Sequence, residues 1–443
     1  MTIDIKVKET TLVKPAEKTP RHSVWLSDLD LLYDEGRAAC LYFYKSNGAS
    51  NFFELAVLKE ALARVLVPYY PVAGRLRHDD DGRLEINCNE EGVLFIVAES
   101  SSAIDDFGDL TASPELPKLT VPAPDYSAGV SSFPLMMLQI TYFKCGGVSL
   151  SVDAEHRVLD GNSAFNFVNA WSEIAQGRLH LTVPPVIDRT LLRARDPPQI
   201  LLNHTEYRLT DQSKENSEQD AKSQHDNIVE RFEVVAIKIT GDQLKILKAK
   251  AKEDGYAINY STFAILVGLI WKCASMARGL PNDQETKLTF SANGRSRLQP
   301  SLPLGFFGNV IFQTRTVALA GDLQSKPLWY AVNLIHETLT RLDNDYLRSV
   351  IDFLKLHPNT KRNRFVESRS PNLAITSWSK FPTRDADFGW GRPFHAGFCG
   401  IVSNEGRVWI TDDVAKEGNL SVLIALQTEH VEVFEKLFYD LLK

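Results

Sequence analysis

The stretch LMMLQITYFKCGGVSLSVDAEHRVLDGNSAF, Leu135 to Phe165, contains two apolar, β-branched runs separated by KCGG. The runs Leu135–Phe143 and Val148–Ala154 predict a β-hairpin with glycines at its turn. After DGNS, apolar residues recur at helical spacing up to Gly177, which predicts a helix. His156 is therefore expected where a strand ends and a helix is about to begin.

Two interpretations of His156 follow from this position. It is either a polar residue that closes the hairpin, or a general base whose side chain reaches a cleft at the strand end. From this stretch alone the structural interpretation is favoured, because histidines after strands are more often hydrogen-bonded structural residues. The rest of the chain has to decide between the two.

Length and composition indicate an ordinary globular protein with two domains. The 443 residues are 44% hydrophobic and 24% charged, and they are too many for one typical core. A net charge of −7 argues against nucleic acid or an anionic membrane as the partner. The chain shows no apolar run of about 20 residues, and its charged N-terminal segment lacks the apolar core of a signal peptide. We therefore expect a cytoplasmic protein. A monomer is expected as well.

The five cysteines lie far apart and form no CxxC pair, which favours reduced, mostly buried thiols over disulfides or a zinc site. They are Cys40, Cys88, Cys145, Cys273 and Cys399.

The order of predicted elements favours two α+β lobes, because both halves mix helices and strands without strict βαβ alternation. Residues 1–194 are expected to form an N-terminal lobe and residues 228–443 a C-terminal lobe. Residues 195–227 are polar, contain Pro-Pro and show no sustained period, which predicts a long crossover linker.

Common catalytic motifs are absent from the sequence. It has no GxSxG elbow, no phosphate-binding GxxxxGK[ST] loop, no HExxH and no GxGxxG after a strand. Without a nucleophile of its own, a histidine base would have to activate a hydroxyl or amine of a second substrate.

Two motifs do carry a resemblance. HRVLDG (His156–Gly161) matches the HxxxDG motif of the plant BAHD acyl-CoA acyltransferases, and DFGWG (Asp387–Gly391) matches their second signature, in the same order and at a similar separation. The resemblance extends over nearly the whole chain. It is closest to the hydroxycinnamoyl-CoA shikimate/quinate transferase branch, which several further segments resemble: LYFYKSNGASNFF, PVAGRL, FKCGGVSL, IDRTLLRARDPP, LQPSLPLGFFGNVIF and DADFGWGRP.

This resemblance implies a chloramphenicol-acetyltransferase-like fold of two similar mixed-sheet lobes, with the active site in a channel between them. His156 would take the proton of the acceptor hydroxyl and return it to the leaving thiolate. It implies no acyl-enzyme, no metal and no cofactor, with the coenzyme A thioester as a substrate.

The resemblance also assigns structural roles around the site to Asp160, Asp387, Gly389, Gly391, Arg295 and Arg297. Either arginine is a candidate ion-pair partner for either aspartate. In an extended segment, residues 156 and 160 would lie roughly 13 Å apart, so their spacing does not imply a direct Asp–His dyad.

The acceptor site is where the sequence departs from its branch. Arg369 matches the arginine that relatives use to hold the acceptor carboxylate, and Thr376 and Trp378 match residues beside it. Arg157 replaces a second histidine that relatives carry after the base. The stretch DEGRAAC (Asp34–Cys40) replaces a histidine-containing stretch, which places Arg37 near the expected pocket. Guanidinium groups bind carboxylates bidentately, so three arginines in one pocket would suit a small hydroxy acid.

For Arg37 and Arg157 an equally weighted alternative is a solvated surface position, or an ion pair with Asp34, Glu35 or Glu155.

The resemblance places coenzyme A contacts at Tyr260, Ser261 and Ser291. The basic run Lys361–Arg364 is a further candidate for its phosphates, although a solvated loop is favoured there.

The expected activity is transfer of a p-coumaroyl or caffeoyl group from coenzyme A to a hydroxyl of shikimate or quinate. The alternative is a small polyacid acceptor such as tartrate or malate. A polyamine N-acyltransferase is disfavoured because arginines repel a polycation. An inactive binding protein is disfavoured by the intact histidine, and a hydrolase by the missing nucleophile.

Overall fold

The structure is a computed structural model that describes residues 3–33, 36–122, 124, 126–209, 231–251, 259–361, 368–399, 404–413 and 418–443. The chain divides into two compact units. Unit 1 comprises Met1–Arg193, Pro300–Val310 and Lys380–Ile401, and unit 2 comprises Ala194–Gln299, Ile311–Ser379 and Val402–Lys443. Each unit holds a six-stranded mixed sheet with helices, so the predicted α+β fold of two lobes is confirmed.

Unit 1 contains nine strands and two α-helices among its described residues. The strands are β1 (Ile5–Val13), β2 (Ser23–Trp25), β3 (Arg37–Tyr44), β4 (Arg75–His78), β5 (Leu84–Asn87), β6 (Val93–Ser100), β7 (Met136–Phe143), β8 (Val148–Glu155) and, late in the chain, β15 (His395–Phe398). The helices are α1 (Leu55–Val65) and α2 (Gly161–Ala175). A single parallel bridge between Val186 and Phe306 lies outside these strands.

The large sheet of unit 1 has the strand order β1-β6-β7-β8-β3-β15, with β6 and β7 parallel and the other neighbours antiparallel. Strands β7 and β8 form the predicted hairpin, with Met136 opposite Ala154 and Tyr142 opposite Val148. Every residue of β8 is buried. The strand that leads to His156 is therefore an interior strand of the sheet.

Helix α2 follows as predicted and packs against α1. Its buried residues include Phe165, Phe167, Val168 and Trp171, which recur at helical spacing. The Trp171 indole N–H donates to the Leu58 carbonyl over 3.0 Å. This packing fixes the turn between β8 and α2, which carries the HxxxDG motif.

The boundary between the two units differs from the predicted one. Pro300–Val310 and Lys380–Ile401 were expected in the C-terminal lobe but belong to unit 1. The reason is backbone pairing: β15 extends the large sheet alongside β3, with Phe398 opposite Cys40. The DFGWG motif therefore lies in unit 1, together with HxxxDG.

The predicted crossover linker starts as part of unit 2. The Arg195 guanidinium pairs with Asp352 at 2.6 Å, and the His204 imidazole contacts the Ser349 hydroxyl at 2.8 Å. Residues 210–227 of the predicted linker lie outside the described residues.

The described part of unit 2 contains these strands: β9 (Arg208–Leu209), β10 (Phe232–Ile239), β11 (Glu285–Asn293), β12 (Ile311–Leu319), β13 (Thr360–Lys361), β14 (Leu373–Ser377), β16 (Arg407–Asp412) and β17 (Leu420–Gln427). Its α-helices are α3 (Gly241–Lys250), α4 (Thr262–Ala277), α5 (Ala320–Ser325), α6 (Leu328–Thr340), α7 (Asn344–Leu356) and α8 (Thr428–Leu441).

The large sheet of unit 2 has the order β10-β17-β16-β14-β11-β12, in which β14 is parallel to both of its neighbours. Helix α4 is buried on nearly all sides, as its uniformly apolar sequence predicts. Its Trp271 indole donates to the Thr286 hydroxyl over 3.1 Å, so the one polar atom of that ring is satisfied. Within the part of the chain that the structure describes, no helix is long and apolar enough to cross a membrane.

Candidate active site

His156 directly follows strand β8 and is held by its backbone on both sides. Its amide donates to the Gly36 carbonyl over 3.1 Å, and its carbonyl accepts from the Asn309 side-chain amide over 2.9 Å. The residue is half-buried, and its Nδ1 atom is buried. The backbone of the histidine is thus fixed at a strand end, while the residue keeps part of its surface accessible.

A fully buried carboxylate, Asp30, organises the surroundings of this histidine. Its Oδ1 accepts from the backbone and side-chain amides of Asn309, over 2.9 and 2.8 Å. Its Oδ2 accepts from both the amide and the hydroxyl of Ser27 and from the Arg189 guanidinium, which lies 3.0 Å away. Arg189 also donates to the Val158 carbonyl over 2.6 Å. Through Asn309 and Arg189, Asp30 therefore anchors the backbone carbonyls of His156 and Val158.

Asp160 caps helix α2 with both of its oxygens occupied. Oδ1 accepts from the Ser163 amide and Oδ2 from the Val310 amide, each over 3.0 Å, and the residue is buried. This is the geometry of a structural N-cap. The neighbouring Gly161 has no room for a side chain, because a Cβ there would lie 2.8 Å from the Phe381 ring.

The DFGWG segment is organised by the side chain of Asp387, which accepts hydrogen bonds from backbone amides. Its Oδ1 accepts from the amides of Gly389 and Gly391, over 2.8 and 3.0 Å. Both glycines have positive φ angles, 98° and 112°, so the predicted tight turns are present and favour glycine at these positions. Phe388 is buried, and its ring meets the Trp171 indole edge to face at 4.8 Å between centroids.

We expect Asp387→Ala to lower the free energy of unfolding by about 1–2 kcal/mol, the usual cost of removing a side-chain cap of backbone amides. Urea unfolding of the variant and the wild type measures this difference. Asp387→Asn keeps an oxygen acceptor and should lose less. Asp385→Ala is the matched control, because Asp385 is exposed and its ion-pair partner Arg392 is 4.0 Å away. Equal losses at positions 385 and 387 would contradict the capping role.

Arg37 and Arg157 are both buried in ion pairs within unit 1. The Arg37 side chain pairs with Asp153 and also donates to the Asp153 and Pro134 carbonyls, over 2.8 and 3.1 Å. Arg157 pairs with Glu155 at 2.7 Å. Arg157 thus has one of the partners that the alternative interpretation named, whereas Arg37 pairs with a carboxylate that it did not name. Asp34 and Glu35 lie outside the described residues.

These two ion pairs, Arg37–Asp153 and Arg157–Glu155, form a charge-balanced cluster beside His156. Burial raises the pKa of the Asp153 carboxyl, and Arg37 opposes that rise. Burial, followed by the charge of Glu155, raises the pKa of the nearby Tyr126 phenol to about 12. At neutral pH this phenol therefore remains a hydrogen-bond donor.

The other predicted acceptor residues belong to unit 2. Thr376 lies on β14 and is half-buried, and Trp378 follows that strand, with its amide donating to the Ile410 carbonyl over 2.7 Å. Arg369 is exposed. Arg369 therefore differs from Arg37 and Arg157, whose side chains are only 6% and 8% exposed.

Comparison with known proteins decides the family. The model of the transferase family matches residues 3–441. The chain belongs to the BAHD acyltransferases. It is 51% identical over 438 residues to shikimate O-hydroxycinnamoyltransferase of Nicotiana tabacum, covering 98% of this chain and 99% of the relative. It is 46% identical over 444 residues to a hydroxycinnamoyltransferase of Narcissus pseudonarcissus, covering 99% and 100%.

A solved structure agrees on the fold. The crystal structure of vinorine synthase matches with a TM-score of 0.75 at 20% identity, covering 99% of this chain and 98% of that one. The predicted resemblance is confirmed, and this BAHD protein is an acyl-CoA-dependent acyltransferase.

The residues predicted to contact coenzyme A in this BAHD chain have structural contacts of their own. Tyr260 is buried, and its hydroxyl lies 3.3 Å from the Asn333 side-chain oxygen. The Ser261 hydroxyl caps α4 by accepting from the Ala264 amide over 3.1 Å. Ser291 lies half-buried on β11. Of the basic run Lys361–Arg364, all but the backbone of its first residue lies outside the described residues.

The two candidate arginine partners of the aspartates occupy different environments in unit 2. Arg297 donates to the Leu339 and Leu342 carbonyls at the end of α6, over 2.9 and 2.8 Å. Burial lowers the pKa of this guanidinium. It therefore stabilises a helix end rather than the carboxylate that was expected. Arg295 is buried, and its amide donates to the Asn293 side chain over 3.0 Å.

The support of His156 by Asp30, Asn309 and Arg189 was not predicted from the sequence. A signal was available, because Arg189 lies in IDRTLL and Asn309 in GFFGNV, two segments that resemble the branch.

Proposed function

We propose that this acyltransferase moves a hydroxycinnamoyl group, p-coumaroyl or caffeoyl, from coenzyme A to a hydroxyl of shikimate or quinate. The observation that carries the proposal is His156, fixed after β8 by Gly36 and Asn309, in a chain 51% identical to a shikimate O-hydroxycinnamoyltransferase.

In the proposed reaction His156 acts as the general base. The imidazole removes the proton of the acceptor hydroxyl as that oxygen attacks the thioester carbonyl. The resulting tetrahedral intermediate breaks its C–S bond, and the imidazolium returns the proton to the leaving coenzyme A thiolate. The acyl group passes directly between the substrates, so no acyl-enzyme is formed. With Nδ1 buried, Nε2 is the nitrogen assigned to the proton transfer.

For the acceptor we propose that Arg369 binds its carboxylate, with Thr376 and Trp378 beside it. An exposed guanidinium is available for a charge-assisted, bidentate hydrogen bond. The tartrate or malate alternative required Arg37 and Arg157 to bind a second carboxylate. Because both are already paired with buried carboxylates, the geometry favours an acceptor with one carboxylate.

Ser349, His204 and Glu206 have the composition of a hydrolase triad, but they do not form an active site. His204 lies 2.8 Å from the Ser349 hydroxyl and 3.2 Å from the Glu206 carboxylate. Ser349 is fully buried, and its hydroxyl accepts from the Leu201 amide over 2.9 Å. A hydroxyl enclosed in this way does not reach a substrate, so the group serves as a buried polar network.

A competition assay tests the proposed activity. The protein is incubated with p-coumaroyl-CoA and an equimolar panel of shikimate, quinate, malate, tartrate and spermidine. Thiol release and mass spectrometry then report total turnover and each product. We expect shikimate or quinate esters to dominate. Thiol release that is independent of any acceptor would indicate a hydrolase, and dominant tartrate or malate esters would restore the polyacid alternative.

We expect Arg369→Met to raise the KM for shikimate and quinate by about 10- to 100-fold, because a charge-assisted hydrogen bond contributes about 1.5–3 kcal/mol. Steady-state kinetics with varied acceptor concentration measures this change. The KM for p-coumaroyl-CoA should change little, and Arg369→Lys should retain part of the affinity. An unchanged acceptor KM in Arg369→Met would remove this residue from the acceptor site.

A further inference from the structure

The ring of Tyr33 lies flat against the imidazole of His156. The two centroids are 3.8 Å apart and the ring planes differ by 16°, which is a stacked pair. Tyr33 is only 5% exposed, so the imidazole meets a buried aromatic face. Tyr33 belongs to neither of the two signature motifs.

The turn that carries Tyr33 is held in place by the core and by Asp30. Leu29 and Leu32 are buried on either side of Asp30, with 2% and 4% exposure. The Tyr33 amide donates to the Asp30 carbonyl over 3.4 Å. The Asp30 carboxylate also binds Asn309, which in turn binds the His156 carbonyl. The same turn therefore fixes both the backbone and the ring of His156.

The stacked Tyr33 ring restricts the orientation of the imidazole, which the backbone contacts of His156 do not fix. The hydrogen bonds from Gly36 and Asn309 fix the position of the His156 backbone, but rotation about χ2 of a histidine is intrinsically broad. A base must nevertheless present one nitrogen to the acceptor hydroxyl within a narrow range of directions. A flat aromatic surface 3.8 Å away restricts the imidazole to one plane.

The Tyr33 ring also affects the stability of a positive charge on the His156 imidazole. In the proposed reaction the imidazole becomes an imidazolium when it removes the proton of the acceptor. An aromatic face attracts a cation, most strongly where water is excluded. The Tyr33 ring is therefore placed to favour the charged state that exists between the two proton transfers.

We propose that Tyr33 is a positioning residue for His156: its ring sets the plane of the imidazole and stabilises the imidazolium during acyl transfer. This inference rests on the proposed function of His156. Tyr33 is expected to affect the rate of the acyl-transfer step and not the binding of either substrate.

Single-turnover kinetics of p-coumaroyl transfer to shikimate tests the proposal. We expect Tyr33→Leu to slow the acyl-transfer step about tenfold while the KM of each substrate stays within about twofold. Tyr33→Phe keeps the ring and should retain most of the wild-type rate. The proposal is overturned if Tyr33→Leu transfers at the wild-type rate, or if Tyr33→Phe loses as much as Tyr33→Leu.

Tyr70→Leu is the matched control. Tyr70 also contacts a histidine of unit 1, His22, edge to face at 5.6 Å between centroids, and it is half-buried. The Tyr70→Leu substitution removes the aromatic ring from a Tyr–His pair that does not include His156. The rate of acyl transfer should therefore not change. An equal loss in both variants would mean that the effect is general and not specific to the stack.

A spectroscopic test needs no turnover and separates this inference from the proposed function. In a protein labelled with ¹³C at histidine Cε1, the His156 signal is assigned by its loss in His156→Gln. Ring current from Tyr33 should shift the attached proton upfield relative to the exposed His180. The absence of that shift in the wild type would overturn the stack, whereas a shifted signal in a protein without transferase activity would refute only the proposed reaction.

Discussion

Replacing His156 by alanine should lower the rate of acyl transfer by about 10²- to 10⁴-fold, because a positioned general base typically contributes that factor. The fold should remain, since the residue is half-buried and its backbone contacts to Gly36 and Asn309 do not involve the side chain. Turnover of p-coumaroyl-CoA with shikimate and circular dichroism of the same preparation check both parts.

Two variants make this result specific. His156→Gln retains a polar side chain of similar reach but no base, so it should be as slow as His156→Ala. His180→Ala removes an exposed histidine of the same unit and should leave the rate unchanged. A folded His156→Gln protein with near wild-type turnover would return His156 to the role of a residue that closes the hairpin.

The largest loss of stability is expected for Asp30→Ala. Removing one partner of a buried ion pair costs about 3–5 kcal/mol, because the remaining charge is left without compensation. Here the stranded group is Arg189, whose side chain is 1% exposed. Amides of Ser27 and Asn309 would lose their acceptor as well. Urea unfolding should show this loss as a lower midpoint with a similar slope.

Asp28→Ala provides the comparison for that measurement. Asp28 lies two residues earlier and pairs with Arg83 at 2.8 Å, but the Arg83 side chain is 25% exposed. Water can solvate this guanidinium after the substitution, so the loss should be about 1 kcal/mol or less. If the two variants lose the same stability, burial of the Asp30–Arg189 pair is not what stabilises the turn.

Local patterns predicted the elements around His156 well. The hairpin of β7 and β8 and the helix after DGNS follow from apolar periodicity and from the turn residues between them. Helix α4 was also recognisable, because a run that is apolar all round has no solvent-facing side. These features depend on residues that are near one another in the chain.

Pairings between distant segments were not predictable from local pattern. The short strand β15 has only four residues, and its partner β3 lies more than 350 positions earlier, so no periodicity marks the pair. The environment of Arg37 depends likewise on Asp153 of another strand. The carboxylate that pairs with Arg37 is determined by the register of β3 against β8, which local sequence pattern does not reveal.

The late segment Lys380–Ile401 belongs to unit 1 and contributes β15 to its sheet, which constrains how chimaeras of this family can be made. A swap of Met1–Arg193 alone would pair a borrowed β3 with a β15 from a different parent, at the edge of the sheet. A mismatched edge exposes unpaired backbone groups and invites aggregation. A donor therefore has to contribute three pieces, Met1–Arg193, Pro300–Val310 and Lys380–Ile401, so the inheritable module is discontinuous in the gene.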